Sequence, residues 1–137
     1  EHWETPRALP LTLTGDKHTA RYAPDGRVVV SFREHTVKGS ITGDQEATSV
    51  PGASEWEGDW VLWVGTYDDL VQGRDGQYKV RLMDNTKAWD CAYPGVEVLK
   101  DGTIVATTYG HWEKGKPAFI ACVRLTLAEL DAMAARK

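Results

Sequence analysis

Apolar and polar positions along this chain alternate in short runs broken by Gly, Pro and Asp-Gly, which is the rhythm of β-strands joined by tight turns. Leu9–Thr14, His18–Ala23 and Val28–Arg33 read as strands, the last two joined through Pro24-Asp25-Gly26. Asp-Gly between two such runs predicts a hairpin, because Gly supplies the positive φ a tight turn needs. Glu34 to Gly58 is polar and rich in Gly, Ser and Thr, and reads as a long loop with room for a short hairpin. Strands are expected again at Trp60–Thr66, Tyr78–Met83, Val96–Leu99, Ile104–Tyr109 and Phe119–Leu125. The Val96 and Ile104 runs flank a second Asp-Gly, at Asp101-Gly102. After Thr126 the period turns helical: Leu127, Leu130 and Ala134 form a stripe, and Thr126 with Glu129 makes a capping box.

The two Asp-Gly hairpins are copies of one pattern. Ala23 to Arg33 aligns with Leu99 to Tyr109 at an offset of 76 residues. A hairpin-based sheet repeated in tandem is how propeller blades appear in sequence, although 76 residues exceeds the usual blade period of roughly 40–50. The segments 34–58 and 67–77 account for the excess. The expected fold is therefore all-β: about two four-stranded antiparallel propeller blades with a short C-terminal helix. The first blade spans about 16–90, the second 91–125, and the helix 126–137. A closed propeller needs roughly four to eight blades. Either missing N-terminal blades or self-association of copies must then complete the ring, and three copies of two blades would make six. The alternative is a two-sheet sandwich whose repeat is a coincidence.

Composition narrows the chemistry. The 137 residues carry 26% charged and 42% hydrophobic side chains and a formal charge of −4, so the chain reads as one globular domain. Scattered basic residues on an acidic chain argue against nucleic acid. No apolar run nears the roughly 18 residues of a membrane span. His2, His18, His35 and His111 lack metal-ligand spacing, and no metal or cofactor is expected. Cys91 and Cys122 are read either as one disulfide or as two free core thiols. Six Trp and five Tyr are many for this length; such rings fill β-cores and also stack on sugars.

Three stretches carry a family likeness. Asp16 to Arg33 resembles the middle blades of bacterial exo-sialidases and their sialidase-like relatives. Gly73 to Leu82 resembles the strand after the third arginine of that family, and Asp90 to Tyr109 the segment holding its nucleophilic tyrosine. They come in the family's order and cover most of residues 16–125. The resemblance implies the C-terminal blades of a six-bladed propeller acting on terminal acidic sugars of glycans, in a secreted or periplasmic setting. In that pattern three arginines grip the sugar carboxylate, a tyrosine attacks the anomeric carbon, a glutamate assists it and an aspartate serves as acid/base. A phenol suits this nucleophilic role because an anionic one would be repelled by the carboxylate already on that carbon.

Carried over by position, Arg33 stands for the second arginine and Arg74 for the third, with Arg81 as its alternative; Tyr93 stands for the nucleophile. The glutamate's place, 16 residues before Arg33, holds Lys17. Its ammonium cannot accept a proton, but a cation beside a phenol favours the phenolate. No segment matches the first arginine or the aspartate; Asp68 and Asp69 have room to line a pocket but do not fit that aspartate's setting. The plainer reading of each residue is structural: a strand-end arginine in a surface ion pair, a tyrosine before proline packed in a corner. Three functions follow: a sialidase-like hydrolase or its C-terminal part, a non-catalytic carbohydrate-binding propeller, and a structural or interaction scaffold. Lys17 favours the latter two.

Overall fold

The structure is a computed structural model, described for residues 2–3, 5–35, 58–87 and 90–136. The described residues form two antiparallel sheets, two short α-helices and one 3-10 turn. The first sheet has β1 (Gly15–Tyr22), β2 (Val28–Glu34), β3 (Trp60–Gly65) and β4 (Tyr78–Met83) in sequential order. Helix α1 (Tyr67–Gln72) connects β3 to β4. The second sheet has β5 (Gly95–Val98), β6 (Ile104–Gly110) and β7 (Phe119–Leu125), again in sequential order, and α2 (Leu127–Ala134) follows.

Both expected hairpins form, with the same turn chemistry. Gly26 and Gly102 take φ of 87° and 84°. In each turn an amide reaches across to a carbonyl, Ala23 to Arg27 and Leu99 to Thr103, both at 2.8 Å. The hairpin repeat therefore maps onto β1–β2 and β5–β6. Beyond it the two sheets diverge: β3 is followed by β4, whereas β7 runs directly into α2. The second sheet thus has three strands among the described residues where four were expected.

β2 and β3 read as nearly continuous apolar runs because both faces of the first sheet are covered. Val29, Trp60, Leu62 and Val64 pack toward the second sheet, against Val96, Ile104, Ala106 and Trp112. On the opposite face Val30, Phe32, Val61 and Trp63 are covered by Leu13 and Leu70. Each large apolar side chain buried this way contributes about 1.5–3 kcal/mol. β6 instead alternates, with Ile104, Ala106 and Thr108 buried and Val105, Thr107 and Tyr109 half-buried, because only one of its faces meets the core. Helix α2 closes the corner between the sheets. Leu127 and Leu130 are buried, and Asp131 binds Arg27 and the Tyr78 hydroxyl.

Several expectations are corrected. Leu9–Thr14 is not a strand; Leu11–Leu13 forms a 3-10 turn after Pro10, which drops Leu13 into the core. The segment 67–77 contains α1, capped by Thr66 and Asp69 in a reciprocal box that terminates at Gly73. Both cysteines are free: Cys91 is buried and its thiol donates to the Gly58 carbonyl, while Cys122 is exposed. The loop expected at 34–58 lies mostly outside the described residues, apart from Glu34 (which completes β2), His35 and Gly58. No helix among the described residues is long and apolar enough to cross a membrane.

Candidate functional site

The edge strands β1 and β5 of the two sheets lie side by side, joined where the Thr19 hydroxyl donates to the Pro94 carbonyl at 2.7 Å. At the end of this seam the hairpin pattern is broken on purpose. The β1–β2 register runs Tyr22↔Val28, Ala20↔Val30 and Thr19↔Ser31. Continued unchanged, it would set Lys17 opposite Arg33. A bulge over Lys17 and His18 sets Asp16 there instead. Lys17 takes φ of 62° to make the bulge, and bulges re-aim side chains in this way. In the segment that leads into β5, Ala92 and Tyr93 have φ of 78° and 76°. These three are the positive-φ residues other than glycine among those described, and they meet at one place.

The bulge creates a compact charged cluster. Asp16 accepts from Arg33 Nε at 2.9 Å and Nη2 at 2.5 Å, a bidentate pairing. Its carboxylate also meets Lys17 Nζ at 3.5 Å and His35 Nε2 at 3.4 Å. Partial burial raises the Asp16 carboxyl, but the hydrogen bonds and charge of Arg33, with His35 and Lys17, outweigh it and hold the group below its ordinary value. Arg33 further donates from Nη1 to the Cys91 carbonyl at 3.3 Å, tying β2 to the segment that presents Tyr93.

Lys17 leans the other way. Its Nζ lies 4.5 Å from the centroid of the Tyr93 ring, a cation–π contact. Hydrogen bonding to the Tyr93 side chain, against partial burial and with help from Asp16, holds its ammonium above the usual lysine value. Tyr93 itself is 69% exposed. Beside it the Tyr109 carbonyl accepts from the Ala92 amide at 3.1 Å, and the Tyr109 phenol is pushed up by burial and by its neighbours Asp90 and Tyr93. Asp90 in turn accepts from His111 Nε2 at 2.7 Å.

Of the residues expected at a site, Lys17, Arg33 and Tyr93 come together and Arg74 does not. Arg74 follows α1, pairing with Asp68 and, at 2.8 Å, with Asp69. It precedes β4, whose first residue Tyr78 pairs with Val64, at the end of the sheet opposite the row that joins Asp16, Arg33 and Trp60. Asp68 and Asp69 are therefore spent on helix α1 and its arginine, and Asp69, bonded by Thr66 and Arg74, is held at about 2. Arg81 pairs with buried Asp59 and lies on β4. The sequence reading passed over Asp16, His35 and the Asp90–His111 pair. Asp16 had a signal, being an acid one residue from Lys17 at the mouth of a hairpin, but only the bulge brings it to Arg33.

Around Tyr93 the arrangement gathers one ammonium and two carboxylates that already have partners. The nearest basic group is an ammonium, and the neighbouring carboxylates Asp16 and Asp90 are committed to Arg33 and His111. The guanidinium edge that would grip a ligand carboxylate already holds Asp16. No protein-family model, no curated protein and no solved structure matches this chain.

Proposed function

We propose that the chain supplies two neighbouring blades of a sialidase-like propeller and that the Lys17–Tyr93 pair binds an acidic sugar without cleaving it. Two sheets with one strand order, a shared hairpin repeat and adjacent edge strands support the blade reading. The single observation that carries the binding reading is the Lys17 ammonium held 4.5 Å over the ring of a largely exposed tyrosine. The ammonium offers charge to a carboxylate, and the exposed ring offers a flat face to a sugar. Arg33 acts as a positioning residue: through Asp16 and the Cys91 carbonyl it fixes both partners of the pair.

A hydrolase with a tyrosine nucleophile needs a proton acceptor beside the phenol and an acid for the leaving group. Lys17, kept protonated, takes the acceptor's place, which favours binding over turnover. The test titrates N-acetylneuraminic acid and its methyl ester against the protein, following Tyr93 by NMR. Saturable binding of the acid below about 10 mM, weaker for the ester and lost in Lys17→Ala and Tyr93→Ala, is the expected result. Absence of saturation in that range ends the proposal. A fluorogenic sialoside run alongside is expected to stay intact; turnover that disappears in Tyr93→Phe would establish the hydrolase instead.

A further inference from the structure

The face of the second sheet turned away from the core has no partner among the described residues. Strand alternation puts Val96, Ile104, Ala106 and Val123 inward. The outward residues fall into cross-strand rows. One row is Glu97, Val105 and Arg124; the next is Gly95, Thr107 and Cys122; Tyr109 and Ile120 lie beyond. Ile120 is 77% exposed. The row of charge is the informative one, because its acid and its base stand on opposite outer strands with an apolar residue between.

We propose that this face is the contact between two copies of the chain, related by a twofold axis parallel to the strands. Such an axis lays β5 of one copy over β7 of the other. Each Glu97 then faces the partner's Arg124, twice over, with the two Val105 side chains between them. Gly95, which has no side chain, faces the partner's Cys122, so the second row closes without a clash. Isologous pairing of one self-complementary patch is the usual route to a dimer. In a propeller the same face would meet the next blade, so the dimer is an alternative to a further blade on this side. A patch three strands wide buries on the order of 1,000 Å² in total, at the low end for specific interfaces, so the association is expected to be reversible and micromolar. This inference is independent of the sugar-binding reading.

Sedimentation velocity on the 137-residue chain, from about 5 to 500 µM, tests it. The expected result is a monomer–dimer equilibrium. Glu97→Arg and Arg124→Glu each set like charges face to face and are expected to weaken it at least about tenfold, while the two together restore it to within about threefold. Both residues are exposed, and Glu97 gives up only a 3.5 Å surface pairing with Arg21, so near-UV circular dichroism should show every variant folded. A monomer throughout the range overturns the proposal. So does a dimer indifferent to either reversal, or a folded double variant that stays dissociated.

Discussion

Lys17, Ala92 and Tyr93 occupy backbone conformations that cost a side-chain-bearing residue about 1–3 kcal/mol each, and their meeting at one seam marks where the fold gives up stability for placement. Ala92 isolates that cost, since its side chain is one methyl. Ala92→Gly should raise stability by about 1 kcal/mol, read as a higher urea midpoint with unchanged slope. A lower midpoint would mean that the buried methyl matters more than the backbone. Opposite it, Asp16→Asn removes the charge from the bidentate pair and should cost about 1–3 kcal/mol, with Arg33 left half-buried and poorly matched. Unchanged stability would reduce the pair to a surface contact. These positions show why the site was only half legible. Lys17 and Tyr93 stood out by their resemblance to a known pattern. The bulge and the left-handed residues did not, because Lys, Ala and Tyr carry none of the preference for positive φ that Gly or Asn would have announced.

At the scale of elements, legibility followed the strength of the local signal. The Asp-Gly hairpins and the Thr126–Glu129 box form as read, because each rests on chemistry within a few residues. Thr126→Ala should cost about 0.5–2 kcal/mol, measured by thermal or urea unfolding, since it strips the N-terminus of α2 of its cap. Helix α1 carried the same signature in Thr66 and Asp69 but is only six residues long, and a single turn and a half is easily taken for loop. Arg74 was misplaced for that reason, since the helix and its arginine belong to the far end of the sheet. Leu9–Thr14 failed differently: Leu13 inserts into a core that only the tertiary fold provides, while Leu9 and Leu11 stay exposed. Glycines seat the large rings. A Cβ built on Gly110 would lie 2.5 Å from the Trp112 ring, inside van der Waals contact. Gly110→Ala should accordingly cost about 1–3 kcal/mol of stability through overpacking, unless Trp112 can leave its place.

For the molecule as a whole, one carboxylate ties three parts together. Asp131 on α2 accepts from Arg27 in the first hairpin turn at 2.7 and 2.9 Å, and from the Tyr78 hydroxyl on β4 at 2.6 Å. Arg27 first and Tyr78 second hold its carboxyl at about 2, below the ordinary 3.8. A carboxyl depressed by folding stabilises the native state above its unfolded value, and that stabilisation is lost as the pH falls through the folded one. Stability should therefore decline from near pH 4 toward pH 2, and Asp131→Asn should flatten that slope while lowering stability at neutral pH. Equal slopes for the two proteins would exclude Asp131 as a contributor. The overall plan of two hairpin-built sheets and a closing helix was visible in the repeat. That the second sheet has three strands among the described residues was not, because β7 reads like any other strand until the chain beyond it turns helical.

Trp60 belongs to the first sheet and Trp112 to the loop after β6, and their rings meet at 5.9 Å, tilted by 33°. Indoles that close couple their electronic transitions, so the pair acts as an optical gauge of whether the two layers are docked. An ultraviolet dichroic couplet that fades before the amide bands change would reveal a state in which the layers have parted while each keeps its strands.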